Sequence, residues 1–448
     1  MSDAITVNIV FQDLLPAFNR EPETSPSRHD SRPRIGSACH AVASRYARTV
    51  GSISWDGFRM KLLIYSHFFA PSVGGTETIV LSIARGLAEL RTASGLSEFE
   101  ITLVTQTPAE NFDDRLLPFQ VLRQPSLWQL WRLVRSSDVI HVAGPALSPL
   151  VLGFAMRKPI VVEHHGFQAI CPNGQLLVQP SQTSCPGHFM ARRHMECYRC
   201  NLALGKFGSG RLWLLTFVRR FLCKRVFVNI SPTGWLQEEL RLPRAKTIHH
   251  GLEPTSIPQR QSMTGTSAPI VAYVGRLVST KGVSVLFEAT RLLRGQGRSV
   301  QLLVIGDGPE RASLEIAART PPLAGHVRLL GRVSSSQMNA ELSRAQAVVV
   351  PSLAGEVFGL VLAENMQKAL PLIVSDLGSF KEVLGDTGLI FRTGDPADLA
   401  RQVGLLLDDP QQAASLGQQA SSRVETQFSH AKMVSEHAEI YRSLLKMN

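Results

Sequence analysis

No apolar run in the 448-residue chain reaches the ~18 residues that a membrane-crossing helix needs. The N-terminus also lacks a basic stretch followed by an apolar one, the pattern of a secretory leader. The expected location is therefore cytoplasmic, with peripheral attachment to the inner face of a membrane left open. No DxD-like acidic pair stands where it would hold a divalent cation, so no cofactor is expected for catalysis. Acidic side chains are outnumbered, 36 Asp and Glu against 47 Lys and Arg, for a formal charge of +11. The remaining composition, 44% hydrophobic and 19% charged, is ordinary for a soluble globular protein. The length allows two or three domains, each with a full core.

The excess positive charge is concentrated. Residues 192–225 carry nine basic side chains (Arg192, Arg193, Arg199, Lys206, Arg211, Arg219, Arg220, Lys224 and Arg225) against Glu196 alone. Such a stretch suits an anionic partner: a membrane surface, an acidic or pyrophosphate-bearing acceptor or, least favoured, nucleic acid. The plainer reading is a solvated helix face. Within it, Arg211–Phe227 reads as a basic amphipathic helix, with Trp213, Leu214, Phe217, Phe221 and Leu222 as its apolar residues. Packing of that apolar side on a sheet is the preferred expectation.

The most informative stretch is Val348–Glu364, VVVPSLAGEVFGLVLAE. Ala347–Val350 reads as a buried parallel strand, a small-residue loop follows, and Val357–Ala363 fits the first turns of a helix. Glu356 stands at the mouth of the loop and Glu364 eight residues on, a little over two helical turns. Between them the helix start offers free N–H groups and a partial positive charge, a seat for phosphate. A carboxylate at each end of such a turn suits the hydroxyls of a nucleotide sugar.

EVFGLVLAE closely resembles the E-x7-E signature of retaining glycosyltransferase family 4, whose members have the GT-B fold. The resemblance runs from about Lys61 to Tyr441. It implies an α/β protein of two Rossmann-like, doubly wound domains facing a central cleft. The expected organisation is a disordered extension over 1–59 and an acceptor-binding domain over 60–253 with a Cys-rich insertion at about 167–205. A linker over 254–268, a nucleotide-sugar-binding domain over 269–428 and a C-terminal helix over 429–448 crossing back to the first domain complete it. Met60 is expected to be the natural start.

The first half has the alternating rhythm of a doubly wound sheet, with strands at Lys61–Tyr65, Ile101–Thr105, Val139–Val142 and Ile160–Glu163. Gly74 and Gly75 lie at the first strand-to-helix turn, where backbone can approach an anion. The resemblance places this loop near donor phosphate and acceptor. His164 and His165 end the Pro159–Glu163 strand, at the edge that faces a ligand crevice. Family likeness assigns a functional His here; of the two, His164 is preferred.

Cys171, Cys185, Cys197 and Cys200 follow, the last two as C-x2-C. Reduced thiols in a cytoplasmic protein suit a structural Zn2+ or an iron–sulfur cluster, against the alternative of four cysteines that merely pack. Some family members carry a similar insertion covering the acceptor side. His250-Gly251 departs from the Asn-Gly usual in the family.

In the second half, Ile270–Val274 reads as a strand ending in Gly275-Arg276. Lys281 is five residues beyond Arg276, so both cations can face one crevice. The resemblance puts Arg276 and Lys281 on the donor diphosphate, Glu356 on donor-sugar hydroxyls and Glu364 on ribose. It also puts Phe358, Gly359 and Leu360 on phosphate, Gly306 in a turn at the donor, and Arg332 and Val333 beside the base. The partners implied are a nucleotide-diphosphate sugar and a glycan or lipid-linked acceptor, in bacterial polysaccharide or glycolipid synthesis. Two other readings compete: a GT-B nucleotide-sugar epimerase, and a non-catalytic binder of nucleotide sugars or anionic polymers.

Overall fold

The computed structural model describes residues 59–72, 74–255 and 268–446. The expected N-terminal extension, and nearly all of the expected 254–268 linker, lie outside the described residues. Fifteen strands are described, β1 Met60–Ser66, β2 Phe99–Thr105, β3 Gln120–Arg123, β4 Val139–Ala143, β5 Ile160–Glu163, β6 Leu177–Val178, β7 Thr183–Ser184, β8 Val228–Ser231 and β9 Ala245–Thr247 in the first half. The second half holds β10 Ile270–Val274, β11 Gln301–Ile305, β12 Val327–Gly331, β13 Ala347–Val350, β14 Leu372–Ser375 and β15 Leu389–Phe391.

Two parallel sheets result. The first has the order β3-β2-β1-β4-β5-β8-β9 and the second β12-β11-β10-β13-β14-β15, with β6-β7 as a small antiparallel hairpin. The central strands are apolar throughout, as both faces of a parallel sheet are covered by helices: β4 is entirely buried, and so is β13. Each sheet reverses its order once, between β1 and β4 and between β10 and β13. In open α/β sheets the crevice at that reversal, beyond the carboxyl ends of the strands, is where ligands bind. This is the GT-B architecture of two Rossmann-like domains.

The last helix, His430–Leu445, belongs by packing to the first domain. Its Met433, Val434, Ala438, Ile440, Tyr441 and Leu444 are buried in the same core as β1, β2 and the helix Gly75–Glu89. A fully buried aliphatic side chain contributes roughly 1.5–3 kcal/mol, so this one face fastens the chain end firmly to the first domain. Arg442 adds a two-pronged pair to Glu98 at 2.6 and 2.8 Å.

The amphipathic segment around 211–227 corrects an expectation. The helix runs Gly205–Cys223 and buries Ser209, Thr216 and Cys223, a narrow seam of small residues seven apart. Leu222 does pack against the core of the first sheet, and Trp213 and Phe217 pack with Phe189 and His194. Leu214 and Phe221 remain 56% and 55% exposed, as does Phe207 at 87%, so only part of the apolar side is covered. Small side chains let the helix lie close along that seam, which turns Phe207, Leu214 and Phe221 outward.

Candidate active site

The loops after β10 and β13 meet at the reversal of the second sheet. Leu353 N donates to Thr280 O at 2.8 Å, joining them. Gly282 has φ +64, and a Cβ there would strike the Pro351 carbonyl oxygen, so the close approach requires glycine. Across this joint, Lys281 Nζ pairs with Glu356 Oε1, both largely buried. Ser352 Oγ donates to the same Glu356 oxygen at 2.8 Å, and Ser379 Oγ holds the Glu356 carbonyl at 3.0 Å. The carboxylate is thus held in one orientation.

Arg276 stays exposed at the end of β10, its carbonyl accepting from Tyr273 Oη at 2.8 Å. Gly306, at the end of β11, has φ +141, and a Cβ there would overlap the Gly275 carbonyl oxygen. The turns after β10 and β11 can therefore lie one against the other. Arg332 and Val333 follow β12 on the same edge, with Arg332 Nε 4.0 Å from Asp307.

The helix after β13 begins at Leu360, three residues later than the apolar run predicts. Phe358 is buried at the approach, and Gly359, at φ +92, is the N-cap. The N–H groups of the first turn are free to meet an anion. Glu364 falls in the second turn of that helix. Burial raises its pKa, and the Lys368 charge four residues on works the other way.

The first domain supplies the opposite wall. The helix Gly75–Glu89 starts immediately after Gly74, and a Cβ on Gly75 would lie 3.4 Å from Leu360 of the second domain. Glu77, in its first turn, has a pKa raised by burial, opposed by its own backbone N–H and by the charges of Arg276 and His165. Sequence reasoning missed Glu77.

His164 and His165 diverge. His164 is fully buried and donates from Nε2 to Asn229 Oδ1 at 3.0 Å, because the Asn229 amide nitrogen is already committed to Cys223 O and Pro243 O. Burial lowers its pKa to about 4. His165 instead faces Glu163 (3.5 Å) and stacks on His250, with ring centres 5.5 Å apart.

Glu163 is the centre of a buried cluster absent from the sequence reading. His141, His437 and His250 also approach it, at 3.2, 3.6 and 3.7 Å. Burial works to raise its pKa, but the His165 ring and contacts from His141, His165 and His250 outweigh it and hold the carboxyl well below the usual range. Tyr441 Oη lies 2.9 Å from His141 Nδ1. Donation by the hydroxyl leaves the His141 proton on Nε2, toward Glu163. His250, pushed down to about 4 by burial, also packs on Phe358 at 5.0 Å, and so couples this cluster to the Phe358–Leu360 turn of the second domain. Glu163, His165 and His250 offer one ligand atom each within 4.8 Å of one another, the one such set found among the described residues. It could take a divalent ion. The signal was present: Glu163 closes an otherwise apolar strand, His141 interrupts another, and His437 falls on the apolar face of the last helix.

The two domains are clamped beside the site. Glu382 accepts from Gly234 N and Trp235 N at 2.7 Å each and from His249 Nε2 at 3.0 Å. Thr233 Oγ1 donates to Val357 O at 2.9 Å.

Residues 259–423 match the family described as Glycosyl transferases group 1. The alpha-D-kanosaminyltransferase of Streptomyces kanamyceticus is 33% identical over 181 residues, 39% of this chain and 46% of that protein. The phosphatidyl-myo-inositol mannosyltransferase of Mycolicibacterium smegmatis is 31% identical over 205 residues, 45% of this chain and 52% of its own. The chain thus spans about half the length of the curated relatives it matches. Among solved structures, Anabaena Alr3699/HepE in complex with UDP-glucose superposes with a TM-score of 0.63 at 18% identity, covering 86% of this chain and 100% of that one. TarM gives 0.63 at 11% identity, over 86% and 99%. These likenesses agree with the GT-B fold. No described helix is long and apolar enough to cross a membrane.

Proposed function

We propose that the protein is a retaining, metal-independent glycosyltransferase of the E-x7-E type, moving a sugar from a nucleotide-diphosphate donor to a hydroxyl acceptor. The convergence of Arg276, the Lys281–Glu356 pair and the Gly359–Leu360 helix start on one crevice carries the reading. Arg276 and Lys281 take the diphosphate and offset the negative charge that grows on it as the sugar departs, the work a divalent ion does elsewhere. Glu356, released from Lys281, accepts from donor-sugar hydroxyls, and Glu364 from ribose. The bond between the anomeric carbon and phosphate oxygen breaks while the acceptor oxygen bonds to the same face. The acceptor proton passes to the leaving phosphate. His165, rather than the enclosed His164, contacts sugar or acceptor at the reacting centre, oriented by Glu163. The UDP and UDP-glucose bound by Alr3699/HepE make a uridine donor the first to test.

The acceptor reading follows from the helix Gly205–Cys223. Exposed Phe207, Leu214 and Phe221 beside Lys206, Arg211, Lys224 and Arg225 fit an anionic lipid surface, where apolar rings enter the interface and cations meet headgroups. A lipid-linked acceptor in polysaccharide or glycolipid synthesis is consistent with that placement.

The test is release of nucleoside diphosphate from a panel of nucleotide sugars, with and without EDTA, in wild type and Lys281→Met. Turnover of one donor, unaffected by EDTA and lost in the variant, is expected. Donor binding by the variant equal to wild type would overturn the assignment of the site.

A further inference from the structure

We propose that the helices Leu127–Ser136 and Gly205–Cys223 form a two-helix seat for an anionic bilayer, with the stacked Trp128–Trp131 pair as its second anchor, holding the cleft end of the first domain against the lipid. The proposal rests on the lipid reading of Gly205–Cys223 given above and extends it to a second helix. Topology puts the two on one face. The chain passes from β3 to β4, from β4 to β5 and from β5 to β8, each time in the same direction across the sheet. The helices Leu127–Ser136, Leu147–Ala155 and Gly205–Cys223 make those passages, and right-handed crossovers leave all three on one side. Packing agrees: Leu130, Val134, Leu150 and Cys223 share one core, whereas Gly75–Glu89 and the last helix pack in another.

The outer surface of this layer differs from the rest of the molecule. None of its three helices contains Asp or Glu, and they carry Arg132, Arg135, Lys206, Arg211, Arg219 and Arg220. The opposite face mixes signs, as Glu77, Arg85 and Glu89 do on the helix Gly75–Glu89. Acids return at Glu238 and Glu239 of Gly234–Leu240, the helix after β8, which bounds the basic face. Large apolar side chains stand in water on the same surface. Leu127 is 72% and Trp128 60% exposed, and Val151 of the middle helix is exposed as well. Among the described residues the second domain exposes Leu292, Ile316 and Leu405, one on each of three helices. Single side chains of that kind need no partner, but a face where they gather among cations without acids marks an interaction surface.

The aromatic residues fit an interface. Trp128 and Trp131 stack with ring centres 4.6 Å apart and planes at 8°, and Arg132 and Arg135 lie over them at 5.9 and 5.4 Å. Phe221 carries Arg225 at 3.5 Å in the same way. Each arginine stands four residues after its ring, so ring and cation share one side of the helix. At a bilayer such a pair divides its work: the ring enters the headgroup boundary and the guanidinium meets lipid phosphate. A soluble polyanion would engage the cations but leave Leu127, Val151 and Phe207 in water. Helices of a doubly wound sheet start at the carboxyl edge of the strands, which lines the crevice. Leu127 opens the first helix and Phe207 lies in the first turn of the third, so both sit at the cleft end of the layer. Docked there, the cleft faces the surface in which a lipid-linked acceptor is anchored.

The experiment is flotation of the full-length protein with vesicles of phosphatidylcholine, with and without phosphatidylglycerol, beside tryptophan emission, for wild type, W128A/W131A and F207A/F221A. Wild type is expected on the anionic vesicles and not on the neutral ones, released by high salt, with a blue shift on binding. Each double variant should bind about tenfold more weakly, and W128A/W131A should lose most of the blue shift. Should W128A/W131A not fold, R132E/R135E changes exposed charges only and is expected to weaken binding to the same degree. Full binding by W128A/W131A with loss in F207A/F221A would overturn the two-helix seat and leave the single-helix reading standing. No binding by wild type would overturn both, and a dimer broken by W128A/W131A would overturn the seat in favour of a second copy. Binding is read without donor, so failure of the transferase reading leaves this result standing.

Discussion

Lys281 and Glu356, 75 residues apart in sequence, close an ion pair across the two loops that meet where the second sheet reverses its strand order. Neither partner is idle without ligand: each neutralises the other in a largely buried place. On the proposed reading, a diphosphate at Lys281 would displace the carboxylate and free it to accept from sugar hydroxyls, making donor binding and Glu356 reorientation one event. Lys281→Met should therefore lower kcat/KM by about 10²–10³. It should also leave Glu356 as a buried charge with Ser352 as its remaining partner, and so lower thermal stability. Steady-state kinetics beside a thermal melt check both; unchanged kinetics would remove Lys281 from the donor site.

The two neighbouring histidines should respond in opposite ways. His165→Ala removes the ring beside Glu163 and His250, and is expected to cost about 10²-fold in kcat with a smaller loss of stability than His164→Ala. His164→Ala deletes a buried ring bonded to Asn229, opening a cavity and orphaning an amide oxygen beneath β8. Its melting temperature should fall, while the folded fraction keeps most of its kcat. The reverse pattern would restore His164 as the functional residue.

Acid should loosen the cluster around Glu163. His164 and His250 both have folded pKa values of about 4, below the ordinary 6.5, because burial disfavours the charged ring. Below pH 6.5 the unfolded chain binds protons that the folded one resists. The stability these groups contribute is thus full above that pH and drains away as pH falls toward 4. The Glu163 carboxyl, held well below its usual range, adds a loss in the same direction at more acidic pH. Each histidine contributes on the order of 3 kcal/mol across its window. His250→Asn should flatten the acid limb of a denaturant-midpoint profile between pH 6.5 and 4, and an unchanged slope would show that His250 protonates freely in the fold.

What could be read from the sequence followed periodicity and spacing. Uninterrupted apolar runs such as Ala347–Val350 and Ile160–Val162 announced parallel sheets buried on both faces, and local turns placed Arg276, Lys281, Glu356 and Glu364 along one edge. The Glu163 cluster was illegible because its members come from four distant segments, at residues 141, 163–165, 250 and 437, joined only when the last helix docks on the first domain. The helix Gly205–Cys223 misled for a different reason. Its apolar residues suggested a buried face, but full burial went to Ser209, Thr216 and Cys223, whose small volume sets how close the helix can lie, and only Leu222 of the expected face reaches the core of the sheet. Hydrophobic pattern gives the side that avoids water, whereas close packing selects the side that fits.

Glu364 offers a separation of binding from stability. Its pKa is raised by burial, with Lys368 offsetting part of the effect, so keeping it ionised at neutral pH works against folding. Stability from this group is present below the unfolded pKa of about 4.5 and is lost as pH rises through the higher folded value. Glu364→Gln keeps the shape and the acceptor oxygen but removes the charge. The variant should melt at a higher temperature than wild type at pH 7 and lose that advantage near pH 4. Its nucleoside diphosphate affinity should fall by about tenfold, since a hydrogen bond to a charged acceptor is worth roughly 1.5–3 kcal/mol and the neutral amide recovers only part of it. Calorimetric titration with the deoxyribose form of the same nucleotide gives the control. If ribose hydroxyls are the groups Glu364 holds, the variant and wild type should bind the deoxy compound alike; a persistent difference would move Glu364 out of the ribose contact and into a purely structural role.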